Sequence, residues 1–137
     1  MKRILTGVIL ISLSAFSCKN GVIVEPKFPY TLTYTNSSSV LLIIEAIYEN
    51  DNVLMCKEEI IIEVNQNHVE SGFALESERG VIEGATRLLI KYNSKVVDCS
   101  DARLDIGFRQ CLLDLGTLKE GETAVSKELV FTDETLN

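Results

Sequence analysis

The chain has 137 residues, with 20 acidic against 13 basic side chains and a formal net charge of −7. This acidic balance argues against nucleic acid as a partner and against electrostatic docking on anionic lipids, because both rest on clustered Lys and Arg. The length fits one ordinary domain that can bury a core without a metal or a disulfide.

The first 17 residues have the pattern of an export signal. Lys2 and Arg3 precede an apolar run over residues 4–16, and small residues follow before the cut. Because this run is shorter than the roughly 20 residues that span a bilayer as a helix, we expect a removed signal peptide over residues 1–17. Its removal takes away two basic residues and no acid, so the exported chain is more acidic still.

The segment Leu13-Ser14-Ala15-Phe16-Ser17-Cys18 resembles the lipobox of bacterial lipoproteins. In that family the cysteine thiol is diacylated and begins the mature chain, so the resemblance implies lipidation of Cys18 and membrane contact through that lipid. Lys19 resembles the signal of lipoproteins that leave the inner membrane, which favours the outer membrane. The rival interpretation is ordinary signal-peptidase cleavage after Ser17, which leaves Cys18 as an unmodified thiol of a secreted protein.

Four cysteines in an exported chain are candidate disulfide partners. If lipid occupies Cys18, we expect a Cys99–Cys111 disulfide, because these residues flank a polar loop and lie close in sequence. Cys56, in an apolar run, is then a buried free thiol. Without lipid, Cys18 can pair with Cys56, and three pairings of the four cysteines stay open.

A period of two dominates the chain after residue 28 and predicts strands. Alternation of apolar residues with Thr over residues 30–35 predicts the first strand, which ends at the polar stretch 36–39. The β-branched run 40–48 predicts a central strand covered on both faces. A turn at 49–52 and a further strand at 53–64 complete a predicted hairpin.

The second half of the chain predicts shorter elements. Strands are expected at residues 69–75, 86–92, 108–115 and 124–131, separated by a Glu/Gly-rich stretch at 76–84, a turn at 93–95 and a connection at 116–122. A helical turn fits best at 100–106, where Asp101 could cap it.

Seven or eight short strands at this spacing predict an all-β, antiparallel sandwich. The run Leu115-Gly116-Thr117-Leu118-Lys119-Glu120-Gly121-Glu122 resembles the turn before a late strand in bacterial immunoglobulin-like domains. Residues 33–38 are similar to the early strand of those domains. The resemblance implies an immunoglobulin-like domain at residues 29–137, after a tether at 18–28, and such sandwiches have many unrelated functions.

The sequence contains few candidates for chemistry. The one histidine, His68, lies in a polar stretch and is interpreted as a solvated loop residue. Asp98, Asp101 and Asp105 could offer oxygens to Ca²⁺, but they lack the spacing of an EF-hand and predict an exposed acidic loop. Glu58, Glu59 and the acids at 76–83 are interpreted as solvent-facing. We therefore expect no catalytic residue, no metal and no cofactor.

These observations predict a non-catalytic, membrane-anchored lipoprotein of the cell envelope. Its sandwich would present loops or edges to a protein partner, or join an envelope assembly by strand pairing. The alternative is a secreted, unlipidated binding or inhibitor module held by two disulfides. An enzyme or ligand carrier that uses the acidic residues would require a metal or a pocket that the sequence does not reveal.

Overall fold

The computed structural model describes residues 29–73, 81–101, 107–120 and 126–137. The predicted signal peptide, the tether with Cys18, Asp105 and most of the predicted helical turn at 100–106 lie outside these residues.

The described residues form two four-stranded sheets and three short helices. Sheet I has the order β4-β1-β8-β7, and sheet II has the order β3-β2-β5-β6. The strands are β1 Pro29–Asn36, β2 Leu42–Asn50, β3 Val53–Ile62, β4 Asn67–Phe73, β5 Arg87–Tyr92, β6 Lys95–Asp98, β7 Thr117–Glu120 and β8 Ser126–Phe131. The helices are α1 Val81–Gly84, α2 Gln110–Leu115 and α3 Asp133–Leu136.

This architecture confirms the predicted all-β sandwich of seven to eight strands. One pair departs from the predicted antiparallel arrangement, because β1 pairs with β8 in parallel while it pairs with β4 antiparallel. Thr31 is opposite Ser126 at one end of the parallel ladder, and Asn36 is opposite Phe131 at the other. The first and last strands of the domain therefore lie side by side in the middle of sheet I.

The core lies between the sheets and follows from the period of two. Leu32 and Tyr34 of β1 are buried, as are Leu42 and Ile44 of β2, while the residues between them on β1 are half-exposed. Phe108, just before α2, is fully buried and meets the Tyr34 ring edge-on at 5.4 Å. Apolar side chains that alternate along a strand reach the same face of the sheet, and burying that face drives the two sheets together.

Two hairpin turns use backbone conformations that most residues avoid. Asp51 and Asn52 join β2 to β3 with φ values of 50° and 64°, and Asn93 and Ser94 join β5 to β6 with 46° and 63°. Positive φ at both central residues is the requirement of the type I′ turn, which matches the twist of the flanking strands, and Asn and Asp tolerate it well. The predicted hairpin at residues 40–64 is confirmed by this turn and by the β2–β3 ladder.

The segment 108–120 differs from its prediction. Residues 110–115, predicted as strand, form α2, whose Leu112 is buried in the core. Residues 117–120, predicted as part of a connection, form β7. Gly116 separates the two elements, and a Cβ there would lie 2.9 Å from Cγ of Leu129 on β8. Close packing against Leu129 therefore explains the glycine at position 116.

Buried polar groups mark the two ends of the sandwich. We call one the Asn36 end, where β1 finishes and β2 begins. The Asn36 amide nitrogen donates to the carbonyls of Val40 at 2.8 Å and Ile62 at 2.9 Å. Its side-chain oxygen accepts from the Ser38 backbone N–H at 3.0 Å and from the Ser38 hydroxyl. One fully buried side chain at the end of β1 thereby binds both the β1–β2 connection and the end of β3.

We call the opposite end the Arg109 end. The Arg109 guanidinium, which is 6% exposed, donates to the carbonyls of Cys99 and Ala85. Tyr48 donates its hydroxyl to the Val81 carbonyl, and burial with the nearby charges of Glu58 and Glu70 raises the pKa of this phenol. These bonds fix α1 and the chain after β6 against the end of sheet II.

Candidate binding groove

A shallow groove of about 460 Å³ opens on the outer face of sheet II at the Asn36 end. We call it the β2–β6 groove and define it by four residues: Leu41, Ile43, Lys91 and Val96. The β1–β2 connection borders it on one side, and the type I′ turn at Asn93 and Ser94 borders it on the other.

Strand register explains why these side chains face away from the core. Ile43 is opposite Lys91 on β5, and Lys91 is opposite Val96 on β6. Residues directly opposite each other in a ladder share a face of the sheet. Because Leu42 and Ile44 point into the core, Ile43 and its cross-strand partners point outward.

The groove belongs to an exposed apolar patch. Leu41 is 43% exposed, Val96 is 61% exposed, and Ile61, which is opposite Ile43 on β3, is 56% exposed. The outer face of an antiparallel sheet is commonly solvated and polar. A cluster of large apolar side chains there is typical of an interaction surface, whereas single exposed ones are ordinary.

A buried carboxylate lies beside this patch. Glu45 is 4% exposed although it lies on the outer face, and it accepts from Lys91 at 2.7 Å and from Lys57 at 2.9 Å. The hydrogen bond from Lys91, and then that from Lys57, lowers the pKa of Glu45 below its ordinary value. The same contact raises the pKa of Lys91. The two lysines therefore compensate the buried charge of Glu45, and Lys91 is held by this contact beside the apolar groove residues Leu41, Ile43 and Val96.

A smaller polar pocket of about 160 Å³ continues the groove around the Asn36 end. Asp133 of α3 accepts from the backbone N–H and the hydroxyl of Ser39, both at 2.8 Å. These two bonds lower the pKa of Asp133. On the other side of the pocket, Lys95 lies over the Tyr92 ring at 5.8 Å from its centroid. The apolar residues of the groove thus lie next to a polar pocket that is lined by the anionic Asp133 and the cationic Lys95.

The structure places His68 differently from its prediction. His68 lies on β4, with a side chain that is 31% exposed, so its interpretation as a loop residue is wrong. Its Nε2 lies 3.4 Å from a carboxylate oxygen of Glu70, which is 3% exposed and also accepts from the Ile82 backbone N–H at 2.9 Å. Glu70 thereby links α1 to β4, and both His68 and Glu70 lie on sheet I, away from the groove on the outer face of sheet II.

Of the aspartates around Cys99 that were considered as Ca²⁺ ligands, the two described ones, Asp98 and Asp101, bind different partners. Asp98 forms an ion pair with Arg87 and accepts from Ser100, and these contacts lower its pKa, with the Ser100 bond as the larger cause. Asp101 accepts from the Gln110 backbone N–H at 2.7 Å, at the start of α2. The helical turn that Asp101 was predicted to cap lies mostly outside the described residues, as does Asp105.

The predicted Cys99–Cys111 disulfide is present. Its Cα atoms are 5.5 Å apart, within the usual range for a disulfide. Together with Asp101, these two cysteines form the one cluster in the described part of the chain with the spacing of a metal site. Because the disulfide uses both sulfurs, this cluster offers no thiolate.

The state of Cys56 differs from its prediction. Cys56 was expected to be a buried free thiol once Cys18 is lipidated, but it is half-buried and disulfide-bonded. The prediction rested on the apolar character of its surroundings. β3 is an edge strand of sheet II, however, and residues 53–55, just before Cys56, are all exposed.

Among the described helices, none combines the length and hydropathy that crossing a bilayer requires. Comparisons of the chain with models of protein families, with curated proteins and with solved structures found no match. The fold and the groove therefore define the class of this protein by themselves: a β-sandwich with an apolar groove on one outer face.

The groove was not anticipated from the sequence. Its residues come from the β1–β2 connection and from three strands, so no short motif contains them. The one available signal was the run 40–48, in which apolar residues occupy both phases of the period of two. That pattern predicts a strand that is buried on both faces of its sheet. In the structure, Leu41 on the outer face is exposed to solvent.

Proposed function

We propose that this protein is an exported, non-catalytic domain of the cell envelope that binds a protein partner in the β2–β6 groove. The observation that carries the proposal is the apolar patch around that groove, with Leu41, Ile61 and Val96 each more than 40% exposed. Removing such a patch from water favours association.

The chemistry of the groove supports a protein as the partner. Its floor is apolar, and Lys95 and Asp133 supply one charge of each sign at its polar extension. Protein interfaces commonly combine an apolar centre with a polar rim in this way. A partner segment with apolar side chains flanked by charges of both signs fits this arrangement.

Site-specific photo-crosslinking in the native cell tests the proposal. A photoreactive amino acid at Val96 should capture one reproducible partner, because Val96 lies on the groove. The matched control is Val69 on β4, which is 51% exposed and lies on the other sheet. Equal capture at both positions, or none at Val96, would reject the groove as the binding surface.

The exported protein has two candidate forms, lipid-anchored or secreted, and the chemical state of Cys18 distinguishes them. The lipobox-like segment ending at Cys18 supports a lipid-anchored form. More than one acyl chain on a single residue would give stable membrane attachment, whereas one chain gives a marginal one.

The disulfide of Cys56 favours the second candidate, a secreted and unlipidated module. Within one chain, four cysteines that include the Cys99–Cys111 pair leave Cys18 as the remaining partner for Cys56. A sulfur that carries a diacylglyceryl group cannot also form a disulfide. Intact mass of the protein from its native host separates the two forms, since acylation adds the mass of the lipid.

A further inference from the structure

We propose that this protein forms a symmetric homodimer in which the edge strand β3 pairs antiparallel with β3 of a second copy. The two copies of sheet II then become one continuous eight-stranded sheet. This inference goes beyond the binding proposal and does not depend on it, because it concerns the edge of sheet II opposite to β6 and a different partner.

The edge of sheet II at β3 is suited to strand pairing. β3 has ten residues and is the longest of the described strands. β2 pairs with it on one side, and among the described strands it has no neighbour on the other. An edge strand presents backbone N–H and C=O groups away from its own sheet, and a further strand can pair with them.

The side chains of β3 on the outer face are accessible. Because Ile62 is buried in the core, the alternation of the strand directs Ile61, Glu59 and Lys57 to the outer face. All three are exposed, and the exposed fraction of Ile61 is 56%. Met55, toward the start of the strand, is 66% exposed. The outer side of this edge therefore combines apolar residues with charges of both signs.

Glu59 lacks a cation within its own copy. It is directly opposite Glu45 on β2, and like charges opposite each other destabilise a sheet. Lys57 and Lys91 both donate to Glu45, and no lysine or arginine in the described part of the chain forms an ion pair with Glu59. A cation supplied by another molecule at this edge would stabilise Glu59.

A two-fold axis at Glu58 supplies that cation from a second copy. In an antiparallel pair of identical strands centred there, Lys57 of each copy is opposite Glu59 of the other, and Met55 is opposite Ile61. The two adjacent registers are centred on Lys57 and on Glu59. They place Glu59 opposite Met55 or opposite its own copy, so neither forms this ion pair. The charges of β3 therefore favour the register centred on Glu58.

This register also contains an unfavourable contact. The two Glu58 residues are opposite each other at the axis, on the inner side of the strand, since Glu58 is opposite the buried Ala46 on β2. Like charges in this arrangement weaken pairing. Two ion pairs and two apolar pairs outnumber this one repulsion, and the backbone ladder adds hydrogen bonds. We expect a dimer in measurable equilibrium with its monomer.

Sedimentation equilibrium of the purified exported protein tests the inference. Wild type should show a monomer–dimer equilibrium that depends on protein concentration. Glu59→Lys should weaken association by roughly tenfold or more, because both ion pairs become pairs of like charge. The matched control is Glu134→Lys on α3, which changes the net charge equally at an exposed position away from β3. This control should leave the dissociation constant of the dimer unchanged.

Charge reversal on both sides of the contact locates it. Lys57→Glu alone should also weaken the homodimer, whereas an equimolar mixture of the Lys57→Glu and Glu59→Lys proteins should form a heterodimer, because opposite charges face each other again. Lys57 also donates to Glu45, so Lys57→Glu can destabilise the fold. The double variant Lys57→Glu/Glu59→Lys keeps a lysine directly opposite Glu45 and should restore the homodimer.

Three results would overturn the inference. The first is a wild-type protein that stays monomeric up to its solubility limit, which would mean that a second copy does not cover β3. The second is a dimer that Glu59→Lys leaves intact, and the third is a folded double variant that stays monomeric. Crosslinking at Val96 reports on β6 at the other edge of sheet II, so this proposal and the groove proposal fail separately.

Discussion

The two ends of the sandwich both bury polar groups, but they do so with different chemistry. At the Asn36 end, a neutral amide at the end of β1 makes its hydrogen bonds to backbone and hydroxyl groups of the β1–β2 connection and of β3. At the Arg109 end, a charged guanidinium reaches the carbonyls of two segments outside the strands, Ala85 and Cys99. The first arrangement links sheet I to the edge strand of sheet II, and the second holds the chain before β5 and the chain after β6 at the end of sheet II.

The difference has an energetic consequence. A buried amide with its hydrogen bonds satisfied costs little, whereas its deletion removes a donor from the Val40 and Ile62 carbonyls. A guanidinium has donors in a fixed fork, so its contribution depends on geometry as much as on charge. We therefore expect the Asn36 end to tolerate substitution least.

The largest effect is expected from Asn36→Ala. It removes the donor to Val40 and Ile62 and the acceptor for Ser38, and we expect a loss of about 3 kcal/mol in the free energy of unfolding. Urea denaturation measures this loss. Asn67→Ala, at an exposed position, is the control. A loss at Asn36 no greater than at Asn67 would contradict the role of the amide in joining the strands.

Arg109→Lys should have a smaller effect, about 2 kcal/mol, because Lys retains the charge but cannot present two donors in a fork. Hydrogen exchange should locate the change. We expect faster exchange at Ile82 and Leu112, next to the Arg109 end, and unchanged exchange in β2. Uniform acceleration across both sheets would mean that Arg109 stabilises the whole fold, and the comparison between the ends would fail.

Glu45 is a third buried polar group, and it lies on the outer face of sheet II between the two ends. Its contribution to the free energy of unfolding depends on pH. Because Lys91 and Lys57 lower its pKa in the folded state, its stabilising contribution is complete above the ordinary value of 4.5 and disappears as pH falls through the lowered value. Glu45→Gln should cost about 1 kcal/mol at neutral pH and progressively less in acid. Glu59→Gln, opposite Glu45 and exposed, is the control. Parallel stability curves for wild type and Glu45→Gln across this range would reject the ion pairs as the cause.

The smallest effect concerns Asp133 at the rim of the polar pocket. Its bonds from Ser39 predict a carboxyl that titrates below its ordinary value of 3.8. An NMR titration of the Asp133 carboxyl carbon measures this directly. Ser39→Ala removes the hydroxyl donor and keeps the backbone donor, so the titration midpoint should rise part of the way. An unchanged midpoint would show that the hydroxyl contact is absent in solution.

The sequence predicts the fold where local signals are consistent with one another. The alternation in β1, the β-branched run of β2 and the turn at Asp51 and Asn52 all indicate strands, and the sandwich follows from their number. The Cys99–Cys111 pair was predictable because a short loop separates the two residues. In each of these cases the deciding interaction lies within a few residues or one hairpin.

The incorrect predictions concern segments whose structure depends on contacts between residues far apart in sequence. The spacing of Phe108 and Leu112 fits either period over so short a run, and packing between the sheets selects the helix. β7 has four residues and forms because β8 is available to pair with it. The state of Cys56 and the assembly of the β2–β6 groove depend on segments far apart in sequence, so no local pattern contains them.

The parallel pairing of β1 with β8 has a mechanical consequence. Pro29 begins β1 at the Arg109 end, and Asn137 follows α3 at the Asn36 end, so the two ends of the described domain lie at opposite poles. A pulling force between these points runs along the strands and loads the hydrogen bonds from Thr31 through Asn36 together, in shear. Strands loaded in shear must break many bonds at once, whereas a hairpin peeled from its end breaks them in turn. A force applied between Pro29 and Asn137 is therefore opposed by the whole β1–β8 ladder rather than by one hydrogen bond at a time.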